Sequence, residues 1–280
     1  MNESQMIATA EKERIESLDV LRGFALLGIL LLNILGFGLV STVFVEPGIY
    51  ISSFKGSDFL AWAMIELTSE GVMRALFSIL FGAGVVLFVS GIRAKSGWLH
   101  YRRTFWLLMF GLFDAYILLW SGDILVTYAV CGAILWLIRD WSPKRLMISS
   151  VVLVSLGVLQ SVAWKAGLEA SREASQLLES ESMSGVQVDP EIQEWAQGWK
   201  EFESSLSDEA SIQKEVNARG QSYLTAFKFN LTKVNEMILV ALPFFLILDA
   251  LMMMVIGMAL YKYGILEGRR ESGFYMRMII

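Results

Sequence analysis

Leu18-Asp19-Val20-Leu21-Arg22-Gly23, running straight into Phe24 to Val40, governs the reading of the whole chain. Asp19 and Arg22 stand one helical turn apart and open an apolar run long enough to cross roughly 30 Å of hydrocarbon. Asn33 is the one strongly polar residue inside that run. It follows Arg22 by very nearly three whole turns, so the two share a helix face about 16 Å apart along the axis. The stretch reads as a first membrane span, about residues 20–41, with its polar groups in one stripe.

Composition extends this reading to the rest of the chain. Of 280 residues, 55% are hydrophobic and 18% charged. An ordinary soluble domain is roughly 45–50% apolar and about 25% charged. The apolar excess falls in blocks near the length of a membrane span, so the fold class expected is an all-α polytopic bundle of about six transmembrane helices. The run after Arg22 is too long for a signal-peptide core and reads as an uncleaved anchor. No basic patch interleaved with aromatics is present, which argues against a nucleic-acid partner. Membrane lipid is the partner that composition implies. Cys131 lies in an apolar run and reads as a buried structural thiol. No metal-ligand cluster is visible.

Taken in order, residues 1–18 form a polar lead. A five-span core over 19–164 has spans at about 20–41, 72–90, 104–120, 124–138 and 146–164. Within the connector 42–70, which carries Pro47 and Gly48, Phe59 to Leu67 reads as a helix on the membrane surface. Residues 165–235 form a helical extracytoplasmic segment with 12 acidic against 7 basic residues. In it Asp189-Pro190-Glu191 is a helix start: a capping side chain, Pro at the first helical position, an acid in the first turn. Ile192, Trp195, Trp199, Phe202 and Leu206 recur at helical spacing, and Ile212, Val216, Tyr223, Phe227 and Leu231 suggest a second helix. Residues 236–280 hold the sixth span, about 237–260, and a tail.

Lys and Arg set the orientation. The N-terminal lead with Arg22, 91–103, 139–145 and 261–280 carry 3, 4, 3 and 4 of them, and the turn 121–123 carries none. This places both termini on the cytoplasmic side and 165–235 outside, in the periplasm or extracellular space.

Ionisable groups inside spans are costly and tend to mark function. Asp19 and Arg22 read either as a local pair or as a lock onto a neighbouring helix or an anionic group. Asn33 reads as an interhelical hydrogen bond or as a site residue of the outer half. Glu70 and Arg74 form an i,i+4 pair where the second span begins. Asp114 and Asp249 interrupt the third and sixth spans roughly 15 and 18 Å deep. Pro243 frees a carbonyl shortly before Asp249. At least one of the two carboxyls is expected to line a functional cavity, the other reading being a structural bond; if close, they would share a proton or pair with Arg74 or Asn33. Ser78 and Gly82 fit close helix packing.

Several segments together resemble the YeiB-like bacterial membrane proteins: Leu18 to Gly28 through Asn33, Ala75 to Gly84, Trp120 to Leu125, and Ile256 to Tyr261. These in turn are similar to a wider group of transmembrane acyltransferases that includes heparan-alpha-glucosaminide N-acetyltransferase. The resemblance implies that Asn33 is an outer-leaflet site residue and that an acyl donor such as acetyl-CoA crosses from the cytoplasm. It also implies further spans beyond the region matching Gly264, so that the chain is truncated or a fragment. Two positions depart from the pattern. Ser41 to Glu70 contains no His, and Asp114 stands where YeiB-like proteins have His.

The function expected is acyl transfer to a sugar or envelope component. Asn33, Asp114 and Asp249 are the candidate catalytic residues, and Asp19, Arg22, Arg74 and Asp123 the candidate substrate-binding residues. The alternative is a small-solute or proton-coupled transporter, or a non-enzymatic membrane subunit. Acyl transfer predicts a tunnel past Asn33, open to both sides and able to hold a thiol-linked acyl donor; paired carboxyls within the spans without an acyl-donor site are the signature of the alternative.

Overall fold

Long runs of Leu, Ile, Val and Phe with few breakers propagate helix, and regular structure among the described residues is helical throughout. The computed structural model describes residues 15–40, 55–89, 96–184, 188–207, 209–268 and 270–279. The lead 1–14 with Lys12 and Arg14, the connector residues Pro47 and Gly48, and Arg93, Lys95 and Arg269 lie outside these.

The helices are α1 Glu16–Gly38, α2 Ser57–Ser69, α3 Val72–Val89, α4 Gly97–Tyr116, α5 Leu125–Ile138, α6 Pro143–Ser184, α7 Pro190–Ser207, α8 Glu209–Gln221 and α9 Tyr223–Glu236. A π-helical stretch over Met237–Leu246 then leads into α10 Ile247–Lys262, and α11 is Ser272–Ile279. Four helical stretches are long and apolar enough to cross a membrane: Glu16–Gly38, Ser57–Phe88, Pro143–Glu181 and Tyr223–Lys262. The ranges expected for the third and fourth spans fall largely in helices α4 and α5, which are not among those four. The first turns of α4 hold His100, Arg102 and Arg103, and α5 has 14 residues. Helix α4 therefore starts at Gly97, seven residues before the position 104 at which the third span is expected to begin. Apolar content located that span, but Arg and His are compatible with helix, and the His100 ring bonds the Gly132 carbonyl of α5 at 3.0 Å.

One helix joins the range expected for the fifth span to the segment after it. α6 runs on to Ser184, because nothing between Lys165 and Ser184 except Gly167 opposes helix. Pro243 leaves its mark instead. It has no N–H to give the ladder, and the chain around it winds as a π-helix in which Ile247 N–H bonds the Leu242 carbonyl.

The chain divides into two compact units. One comprises the chain up to Ile34, Ala61–Val154 and Asn230 onward. Its core joins Val85 and Val86 of α3, Tyr128, Cys131 and Leu135 of α5, and Met254, Val255 and Met258 of α10. Helices α3 and α10 meet backbone to backbone: a Cβ on Gly82 would fall on the Met254 carbonyl, and one on Gly257 on the Ile79 carbonyl. Small residues permit this approach, and it is the packing expected of Gly82. Cys131 is fully buried and unoxidised, as expected.

The two ends of this unit differ in chemistry. At one, Arg22 Nη2 donates to the Leu80 carbonyl at 3.3 Å, and Arg103 lies over the Phe88 ring. There too Lys262 Nζ donates to the Arg139 and Trp141 carbonyls at 2.5 and 2.6 Å. Among these groups the His100 ring stacks on Trp136 and meets Phe88 edge-on. At the other end Ser69, Glu70, Arg74, Trp120 and Asp123 gather around Asn33.

The second unit comprises Leu35–Leu60 and Ser155–Phe229. The cap is as expected: Asp189 Oδ1 accepts from Glu191 N–H at 2.9 Å and starts α7. On α7, Ala196 is fully buried while Trp195 stays exposed. Helix α8 packs Ile212 and Val216 against Leu39 and Val40. Its Arg219 donates to the Gly36 and Leu39 carbonyls at 3.4 and 3.0 Å, capping the C-terminus of α1, and holds Glu215 at 2.6 Å.

Candidate functional site

Three helices and one turn bring polar side chains to a single cleft. α1 supplies Ile29, Leu32 and Asn33; the α2–α3 junction supplies Ser69, Glu70 and Arg74; the turn before α5 supplies Trp120, Gly122, Asp123 and Ile124. The cleft measures about 110 Å³. That holds several waters or one hydroxyl- or amine-bearing group, and is smaller than the roughly 300–1,000 Å³ of a site enclosing a whole small-molecule ligand.

Local backbone shapes both polar edges. Gly71 has φ +69°, a left-handed turn that separates α2 from α3 and sets Glu70 and Arg74 at the rim. Leu119 has φ +62°, a left-handed conformation uncommon for a branched side chain. Trp120 N–H bonds the Asp114 carbonyl at 3.1 Å and closes this turn. Strain of this kind persists where the surrounding structure over-determines it and is concentrated at functional sites.

Arg74 is the hub of the cleft's charges. Its guanidinium reaches Asp249 at 3.4 Å and Glu70 at 3.8 Å. The pairing of Asp249 with Arg74 is one of the partnerships the sequence allowed. The Glu70–Arg74 pair is present too, but it opens onto the cleft rather than being a free surface pair. Among the described residues Asn33 shows no side-chain hydrogen bond, and it lines the cleft.

Asp123 is 8% exposed, and its Oδ2 has no hydrogen-bond partner among the described residues. Gly111 makes room for that oxygen, which would lie 2.8 Å from a Cβ on Gly111. Burial pushes the Asp123 carboxyl up to about 6 from its ordinary 3.8. The backbone N–H groups of Leu125, Val126 and Ile124 act in the opposite direction, and the Asp114 charge adds to the rise.

Asp114 and Asp249 do not line the cleft. Asp249 is linked to it through its ion pair with Arg74, and the Asp114 charge acts on Asp123. Depth along a helix is readable from residue count, but azimuth relative to neighbours is not. Among the described residues Asp249 pairs with Arg74, the partnership open to it besides a proton shared with Asp114. Asp19 and Arg22 pair with each other at 3.3 Å, and Arg22 also locks onto α3, with Gly84 leaving space for its guanidinium. Both belong to the other end of the unit, away from the Asn33 cleft. Ser69 and the Trp120 ring line the cleft without having been singled out by the sequence. The signal for Trp120 is its place beside a tight Ser-Gly-Asp turn. Among the described residues no group of His, Cys, Asp and Glu is arranged to hold a metal.

Helices of membrane-crossing length and composition, closed around a polar cleft at one end, define an all-helical membrane-type protein. The comparisons with known proteins agree. The chain is 40% identical over 151 residues to "Uncharacterized protein YeiB" of Escherichia coli, covering 52% of this chain and 38% of that one. It is 35% identical over 159 residues to "Uncharacterized protein YxaH" of Bacillus subtilis, covering 55% and 39%. It is also 37% identical over 126 residues to a 39.9 kDa protein encoded in the amylase 3' region of Bacillus acidopullulyticus. These relatives are YeiB- and YxaH-like proteins, and they support the YeiB-like family that the sequence motifs indicate. The matched stretch spans about two-fifths of the length of the first two. No family model matches the chain, and no solved structure does.

Proposed function

We propose that this protein is an acyltransferase of the bacterial inner membrane that modifies a sugar or envelope component. The Asn33 cleft receives the acceptor on the outer side, and a thioester donor such as acetyl-CoA supplies the acyl group from the cytoplasm. The observation that carries this reading is the open polar space beside Asn33, where Arg74 and Asp123 converge with it. The basic contacts of Arg22, Arg103 and Lys262 gather at the opposite end, which suits a cytoplasmic face with both termini on it. In this orientation 165–235 is extracytoplasmic and α2 lies along the membrane surface. Asp114 and Asp249 act through Asp123 and Arg74 rather than on the acceptor.

Membrane vesicles carrying the full chain, incubated with labelled acetyl-CoA, test the proposal. Label is expected in an envelope component and lost in Asn33→Ala. Absence of any incorporation by the unmodified protein refutes it. The Arg74–Asp249 pair inside a helical bundle favours a second reading, a proton-coupled carrier of small solutes. Solute uptake that depends on a proton gradient in the same vesicles separates the two.

A further inference from the structure

We infer that Asp123 is the proton-exchanging carboxyl of the cleft, its Oδ2 accepting the proton of a hydroxyl or amine group seated among Asn33, Arg74 and Trp120. The cleft's other acid is engaged differently. Glu70 is held by Arg74 in an ion pair, as is Asp249. Asp123 has no cation within ion-pair distance among the described residues. It is the cleft acid that is nine-tenths buried, and one of its oxygens is unpartnered. A buried carboxylate oxygen with no donor is costly, and a proton or a donor group of a ligand relieves that cost.

The groups facing Asp123 set its balance. Asp114 lies one turn beyond Gly111 on α4 and disfavours the charged form; the backbone N–H groups that begin α5 favour it. Glu70, Arg74 and Asn33 line the remaining walls. The carboxyl therefore titrates near neutrality, up to about 6, where taking and returning a proton are both accessible. With three acids around one arginine, the region is electronegative. It suits a neutral or cationic hydrogen-bond donor and disfavours an anion.

Proton exchange at Asp123 stands on this geometry, and only the bond changes coupled to it rest on the acyl-transfer reading. In those, the acceptor O–H or N–H proton passes to Asp123 as the acceptor atom bonds to the thioester carbonyl carbon. The C–S bond breaks, and the departing thiolate takes the proton back from Asp123, giving the thiol and restoring the carboxylate.

Infrared difference spectroscopy of the purified full chain across pH tests the proton exchange without reference to activity. The carbonyl band of a protonated carboxyl is expected to titrate with a midpoint near pH 6 and to vanish in Asp123→Asn. In Asp114→Asn the band is expected to persist with a lower midpoint, a result that does not depend on the Asp123 variant folding. No carboxyl band titrating above pH 5, or one unchanged in both variants, overturns the inference. A band that behaves as expected in a protein that transfers no acyl group leaves the proton site standing and removes the acyltransferase reading.

Discussion

The Arg74 guanidinium and the Asp249 carboxylate stand 3.4 Å apart and tie α3 to α10 at the edge of the cleft. Both side chains are partly exposed, so the pair contributes modestly to stability, about 0.2–1 kcal/mol. Its larger role is to fix the direction of Arg74. In a double-mutant cycle, Arg74→Ala and Asp249→Ala are expected to be non-additive in thermal stability by roughly that amount. Arg74→Ala alone is expected to abolish labelling of the envelope acceptor, and additive stability effects would contradict the pairing.

Backbone contact between α3 and α10 makes two glycines irreplaceable. Gly82→Ala and Gly257→Ala each force a methyl onto a carbonyl of the facing helix. Losses on the order of 3 kcal/mol, or failure to fold, are expected in detergent melts. Gly23→Ala, which meets nothing within 4 Å, is the control and is expected to be neutral or slightly stabilising.

Asp123 gives stability a pH dependence of definite sign. Between its ordinary 3.8 and about 6 the folded protein holds a proton that the unfolded chain has released. The contribution is complete below the lower value and is lost as pH rises through the upper one, on the order of 3 kcal/mol in all. Denaturation measured from pH 4 to 7 is expected to show this loss, and Asp123→Asn to flatten it.

Arg219 caps α1 and pairs with the buried Glu215. Arg219→Ala is expected to cost on the order of 1–3 kcal/mol by leaving two helix-end carbonyls without that donor and Glu215 without its cation. Hydrogen exchange at the end of α1 measures the effect. Arg219→Lys is expected to recover part of it, since an ammonium is a donor without the guanidinium's fork.

A good deal of this protein is legible without its structure. Apolar run length locates α1, α3, α5 and the π–α10 stretch within a few residues, because burial in hydrocarbon demands length and composition that few other solutions permit. The Asp189-Pro190 signal marks the start of α7, since capping is local chemistry. The start of α4 and the run of α6 past Lys165 are not legible. Hydropathy marks apolar content, whereas helix continues through charged residues that propagate it.

For the site, sequence alone puts Asn33, Arg74, Asp114, Asp123 and Asp249 on the short roster of polar groups in or beside spans. It orders them along the helix axes. Which of them meet is decided by rotation and packing of separate helices, settled by contacts such as Gly82 on Met254 and Gly257 on Ile79. Tertiary structure therefore sets Asn33, Arg74 and Asp123 around one cleft and leaves Asp114 and Asp249 out of its lining. It also leaves one Asp123 oxygen buried without a partner. A chain's own periodicity fixes the face and height of each residue; the neighbour that face meets depends on helices far away in sequence.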